Sequence, residues 1–133
     1  MYRNFSIVPK IMFGRGAFNQ LAEVIAPQRV TPDSYFVFVL DDVFIGKPLE
    51  GRIPLEKGDL LLHVNVDDEP KTSYIDSLVA QIREYSPVKP DGIVGIGGGS
   101  TMDIAKAISL LLNNPGSSAD YQGWDLIENP SIY

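Results

Sequence analysis

The sequence predicts an α/β fold, a parallel sheet with helices on its flanks. Three observations carry that expectation. Short apolar runs of strand length recur at residues 35–40, 60–66 and 92–96. Stretches with apolar residues at helical spacing precede, separate and follow them. Glycine, proline and acidic residues punctuate the boundaries.

Taken in order, residues 5–13 read as a first strand, stopped by Gly14-Arg15-Gly16. Phe18, Leu21, Ala22 and Ile25 then recur as one face of a helix, which Pro27 closes. The run YFVFVL at 35–40 is continuously apolar, as expected of a strand covered on both faces, and Asp41-Asp42 ends it. Residues 46–58 are rich in Gly and Pro and read as a loop. After the strand at 60–66, Asp67-Asp68-Glu69-Pro70 suits a helix start. Ile75, Leu78, Val79 and Ile82 give that helix its inward stripe. A further strand at 92–96 leads into a helix over 100–113, and Asn114-Pro115-Gly116 breaks the pattern. The tail at 117–133 reads as irregular. Alternating elements imply βαβ units with right-handed crossovers. Ligands of such sheets bind beyond the carboxyl ends of the strands, where both Asp41 and Gly97 fall.

A chain of 133 residues suits one domain with its own core. Apolar residues at 44% and charged residues at 21% argue against disorder. No apolar run approaches the roughly 20 residues needed to span a bilayer, and the N-terminus lacks the pattern of a secretory signal. The sequence contains no cysteine, which removes disulfides, thiolate metal sites and cysteine nucleophiles together. These features fit a cytoplasmic protein without membrane partners. The net charge of -6 disfavours nucleic acid as a partner.

The informative stretch is GIVGIGGGSTMDIAK at 92–106. It reads as strand, glycine turn and helix start. Three successive glycines, Gly97, Gly98 and Gly99, allow positive φ and leave no Cβ in the way of a ligand. Backbone amides and the helix dipole beyond them suit a pyrophosphate. The general templates are not met. Ser100 stands where a third glycine would complete the dinucleotide fingerprint, and no phosphate-loop lysine follows. From the residues alone, the segment is either a phosphate-binding turn or a tight strand-to-helix connection without a ligand.

The bland readings of the neighbouring residues are specific. Ser100 and Asp103 fit a capping box with Asp in the usual Glu position. Lys106 can pair with Asp103 at i,i+3. Asp42 reads as a solvated loop residue. His63, the only histidine, has no carboxylate or second imidazole at ligand spacing and reads as a satisfied strand residue. Asp67-Asp68-Glu69 reads as a charged turn rather than a cation site. Tyr121 and Trp124 either pack on the sheet edge or help to form a cleft.

The stretch GIGGGSTMDIAKAI resembles the GGGSxxDxAK signature of the iron-containing alcohol dehydrogenases, the superfamily that also holds dehydroquinate synthase and glycerol dehydrogenase. The resemblance covers the whole chain. PKIMFGRG at 9–16 is similar to the family's opening strand and turn, and Val39-Leu40-Asp41 to its second strand with an acidic end. Residues 109–114 with 116–123 look closest to the 3-deoxy-D-manno-octulosonate (Kdo) 8-oxidases, a branch tied to lipopolysaccharide biosynthesis. The resemblance implies a Rossmann-like domain in which Gly97, Gly98, Gly99 and Ser100 contact the NAD pyrophosphate. It also implies that Asp41 accepts hydrogen bonds from the adenosine ribose and that Asp103 and Lys106 border the cofactor cleft. A carboxylate at 41 repels a 2′-phosphate, so NAD is expected over NADP. The acidic residue precedes the glycine turn here, whereas in the general fingerprint it follows.

In the family a divalent metal, iron or zinc, is held by an aspartate and histidines of a helical C-terminal domain. That domain is expected to be absent from residues 1–133, which then form an N-terminal dinucleotide-binding domain cut short, without metal ligands, assigned catalytic residues or turnover of its own. The full-length protein is expected to be a metal-dependent alcohol dehydrogenase acting on a small-molecule alcohol or sugar, the C8 hydroxyl of Kdo among them, as a homodimer. A dehydroquinate synthase-like cyclase and a non-catalytic nucleotide-binding module stay open as alternatives.

Overall fold

The computed structural model describes residues 8–133. Three parallel strands form its sheet: β1 (Phe36–Asp41), β2 (Leu60–Val64) and β3 (Gly92–Ile96), in the spatial order β2-β1-β3. Val37 pairs with Leu60 on one side of β1 and with Ile93 on the other, and the register runs without a break from there. The fold is the α/β arrangement expected of the sequence.

Every residue from Phe36 to Leu40 is fully buried because β1 is both the central strand and covered on both faces. The alternation of a pleated strand divides them. Val37 and Val39 join Tyr35 in a cluster with Leu78, Val79, Ile82, Ile104 and Ile108. Phe36, Phe38 and Leu40 face the opposite way, against Ile25, Ile53 and Ile96. The first cluster is supplied by two long helices, α2 (Thr72–Tyr85) and α3 (Gly99–Leu111), which pack on one side of the sheet. The other side is covered by a single α-helical turn, α1 (Leu21–Ile25), flanked by 3-10 turns at Ala17–Gln20 and Ala26–Gln28. Gly16 caps the first of these at φ 83, a left-handed conformation that favours glycine.

The described part of the expected first strand, 8–13, is not a strand; residues 5–7 lie outside the described residues. Pro9 cannot donate to a ladder, and Val8, Ile11 and Phe13 are exposed. The loop at 46–58 is present, with a 3-10 turn at Glu50–Arg52. The acidic run at 67–69 precedes α2, which begins after the extended Lys71 and has no acidic residue in its first turn. It turns the chain at the end of β2 instead. There the Asn65 side chain donates to Asp42 at 2.8 Å and to Asp67 at 3.1 Å, and accepts from the Asp67 N–H.

The tail holds one 3-10 turn, Ser118–Tyr121, and otherwise runs irregularly. It is tied down all the same. The buried Asn114 donates to the carbonyls of Leu110 and Asn129 and accepts from the Asn129 N–H. Asp76 on α2 accepts from Ser117 Oγ and the Ser118 N–H, which together hold its carboxyl below the ordinary value. The Ile93 N–H on the outer edge of β3 donates to the Tyr133 carbonyl at 2.8 Å. No described helix is long and apolar enough to cross a membrane.

Candidate functional site

Strand order determines where a ligand can lie. The chain leaves β1 toward β2 on one side and returns over α2 to β3 on the other, so the crevice between β1 and β3 is the topological switch point. Asp41 ends β1 and Gly97 follows β3, so both sit at the carboxyl mouth of that crevice.

The backbone explains why glycines are needed there, and the reason differs from the expected one. None of Gly97, Gly98 and Gly99 has a positive φ; Gly98 is extended at φ -79 and ψ -171. What matters is the missing Cβ. One added at Gly97 would lie 2.5 Å from Thr101 Oγ1 and 2.9 Å from Asp41 Cβ, and one at Gly95 would lie 2.9 Å from Ala105 Cβ. These two glycines let β3, β1 and the first turns of α3 close up. At Gly98 and Gly99 an added Cβ would meet nothing within 4 Å, and both residues are exposed. The turn is therefore packed tight underneath and bare on top.

Helix α3 starts above that bare surface. Gly98 is its N-cap, and the first helical bond runs from the Met102 N–H to the Gly98 carbonyl. The amides of the first turn thus have no partner within the helix. Each dipole–anion contact at such an end contributes about 0.3–1 kcal/mol, so several acting together are needed to hold a diphosphate. The expected capping box is not formed: the cap makes no side-chain hydrogen bond, and Ser100 lies one residue inside the helix.

Asp41 is half-buried. Its Oδ1 accepts from the Val43 N–H at 3.1 Å, and its Oδ2 faces Thr101 Oγ1 at 3.4 Å. Each carboxylate oxygen keeps further acceptor capacity. Asp42 is not free in solvent, since it accepts from Asn65 and links the ends of β1 and β2.

The remaining sequence-derived residues divide. Asp41, Gly97, Gly98, Gly99 and Ser100 gather at the switch point. Asp103 and Lys106 pair with each other at 3.0 Å on an exposed face of α3, with side chains more than two-thirds exposed. Such a surface pair contributes at most about 1 kcal/mol. Thr101 was not among the expected residues, although a polar residue on the inward stripe of α3 is a visible anomaly. It is fully buried, beside Asp41 and Gly97.

His63 does have a carboxylate partner. Its Nε2 lies 2.6 Å from Glu50 Oε1, brought back by the loop after β1, and Glu50 Oε2 accepts from the Gly46 N–H. The Gly46 N–H first and His63 second hold the Glu50 carboxyl below its ordinary value. The histidine is satisfied, as expected, by a residue that sequence spacing does not reveal. Among the described residues no group of three or more His, Cys, Asp or Glu could hold a metal ion. The metal that the resemblance implies therefore has no fitting ligand set among the described residues. Tyr121 packs against the α2–α3 cluster, whereas Trp124 is 93% exposed.

Beside Gly97, on the α1 side, opens an apolar groove of about 730 Å³, lined in part by Phe18, Leu21, Phe44, Leu49, Val94 and Ile96. Its size is that of small-molecule pockets. It shares Gly97 with the mouth of the crevice and reaches the strand ends at Ile96 and Phe44, so it adjoins the candidate site.

Comparison with known proteins gives a family and a fold. Residues 9–132 match the family described as "Iron-containing alcohol dehydrogenase". The sulfoacetaldehyde reductase of Bilophila wadsworthia is 30% identical over 128 residues, covering 94% of this chain and 32% of the relative. Alcohol dehydrogenase 4 of Saccharomyces cerevisiae is 32% identical over 121 residues, covering 90% of this chain and 31% of the relative. The chain thus spans about a third of the length of these relatives. In fold it is similar to the crystal structure of sulfoacetaldehyde reductase from Bifidobacterium kashiwanohense in complex with NAD+. The TM-score is 0.65 at 21% identity, over 84% of this chain and 29% of that one.

Proposed function

Because the chain belongs to the iron-containing alcohol dehydrogenase family, we propose that it is the NAD-binding portion of an oxidoreductase that moves hydride between an alcohol or aldehyde and nicotinamide. The observation that carries this reading is the turn at Gly98 and Gly99, bare to solvent above a helix start and next to the half-buried Asp41. A diphosphate fits over that turn, because no side chain intrudes and the amides beneath it are donors. On this reading the two oxygens of Asp41 accept from the vicinal hydroxyls of the adenosine ribose, which the spare acceptor capacity of its carboxylate supports.

NAD itself supplies the hydride chemistry when bound. The residues of this chain hold its adenosine and diphosphate and set which dinucleotide is accepted. The NAD complex of the Bifidobacterium reductase supports the choice of cofactor. Alcohol dehydrogenase and aldehyde reductase names among the relatives support the reaction class. For the alcohol itself, the likeness of residues 109–123 to the Kdo 8-oxidases is what supports the C8 hydroxyl of Kdo. Asp103 and Lys106 are assigned to the rim of the cleft on the family motif alone, as a pair that would have to open to reach a ligand.

Asp41→Ala tests the reading. Hydrogen bonds to a charged acceptor contribute about 1.5–3 kcal/mol, which corresponds to roughly ten- to a hundredfold in affinity. NAD titrated into the variant is expected to bind at least about tenfold more weakly. NADP, relieved of the repulsion between the carboxylate and its 2′-phosphate, is expected to lose less, so the preference between the two narrows. Unchanged titrations with both nucleotides would remove Asp41 from the site.

A further inference from the structure

We propose that Thr101 is a positioning residue for Asp41, fixing the plane of its carboxylate so that both oxygens meet the ribose diol together. The inference rests on the nucleotide-binding reading above and adds a residue to it.

Three observations and one rule of burial lead to it. Thr101 is fully buried, on the inward stripe of α3 shared with Ile104, Ala105 and Ile108. A hydroxyl in that position must find an acceptor or lose its hydration without return. The acceptor is Asp41 Oδ2, sixty residues away in sequence. The threonine is also wedged in place, since Gly97 approaches it so closely that any Cβ there would lie 2.7 Å from Thr101 Cβ.

The geometry gives that contact a function. A terminal carboxylate torsion has broad wells, so one hydrogen bond leaves the plane free to swing. Val43 N–H holds only Oδ1. The Thr101 hydroxyl adds a second point from a different element, and two points define the plane. The donors come from the turn after β1 and from the first turn of α3, the helix that starts over the glycine turn. One buried side chain thus joins the ribose acid to the diphosphate turn. At 3.4 Å the bond is long for O–H···O, which places its expected effect at the modest end. Its contribution is preorganisation, which saves the ordering cost at the moment of binding.

The test compares ADP with 2′-deoxy-ADP as probes, titrated into the unaltered protein, Thr101→Val and Thr101→Ser. Valine keeps the shape and removes the donor; serine keeps the donor. Thr101→Val is expected to bind ADP about three- to tenfold more weakly, the effect of one lost hydrogen bond. Its affinity for 2′-deoxy-ADP, which lacks half of the diol, is expected to match that of the unaltered protein. Serine is expected to restore ADP binding to within about twofold. Because the comparison is a ratio of two ligands within each variant, a partly unfolded fraction cancels. Thr101→Val binding ADP as the unaltered protein does would overturn the proposal, as would equal losses for the two nucleotides. In either case Asp41→Ala still weakening NAD leaves the nucleotide-binding reading standing. Failure of the unaltered protein to bind ADP would overturn both.

Discussion

Replacing Asp59 by alanine is expected to destabilise the fold by about 3–5 kcal/mol, a large share of the roughly 5–15 kcal/mol that holds a domain of this size together. The residue sits just before β2, at the opposite end of the sheet from the candidate site, and its side chain is 1% exposed. Both oxygens receive the Arg29 guanidinium, at 3.0 and 2.7 Å, and they also accept from the Phe36 N–H at 2.8 Å and the Glu56 N–H at 2.8 Å. Alanine would strand a largely buried guanidinium and two backbone donors at once. That asymmetry, rather than the net worth of the ion pair, makes the effect large.

Burial alone would raise the Asp59 carboxyl, but the Arg29 pairing and the two backbone donors outweigh it and hold it below its ordinary value. A folded-state value below the unfolded one means stability that is fully present above the unfolded value. It is lost as pH falls through the folded one. Acid unfolding followed by circular dichroism is therefore expected to lose its Asp59 component in Asp59→Asn, which cannot ionise. An unaltered acid profile in that variant, or a loss of less than about 1 kcal/mol in Asp59→Ala by denaturant titration, would contradict this account.

The second large effect separates two adjacent glycines. Gly97→Ala is expected to cost about 1–3 kcal/mol of stability, because its Cβ would press on Thr101 and Asp41 inside a packed junction. With both neighbours displaced, NAD affinity is expected to fall by about tenfold or more. Gly98→Ala has open space and an ordinary φ, so its stability is expected to stay within about 0.5 kcal/mol. Its new methyl group nevertheless projects from the face assigned to the diphosphate, and NAD is expected to bind more weakly there too. Thermal unfolding and NAD titration of the pair check both halves. Loss of stability in both, or normal NAD binding in Gly98→Ala, would mean that the bare turn is not where the dinucleotide lies.

Much of the fold was legible because its strands read as short apolar runs, interrupted only by His63 in β2 and by glycines in β3. β1 is the clearest case, and the stripe of α2 follows directly from Leu78, Val79 and Ile82. Residues 8–13 misled because an apolar run signals burial only if something lies over it; here Val8, Ile11 and Phe13 face outward. At the site, the cluster of Asp41 with the glycine turn was legible from strand ends alone. The reason for the glycines was not. Positive φ and steric clearance select the same residue, and only coordinates tell them apart. The Asp103 cap failed because the helix begins at Gly99, one residue before Ser100. Glu50 beside His63 and Thr101 beside Asp41 are contacts between distant segments, which local spacing does not encode.

The central place of β1 has a consequence for how the molecule breathes. Its amides are bonded to a neighbour on each side and its side chains are sealed above and below. Solvent protons reach them only when the whole structure opens, so deuterium uptake in β1 should report the global free energy. On the outer edge of β3 the Ile93 N–H is held only by the Tyr133 carbonyl of the tail, so exchange there is expected to need no more than release of that segment. The acidic residue assigned to the ribose thus ends the segment expected to melt last.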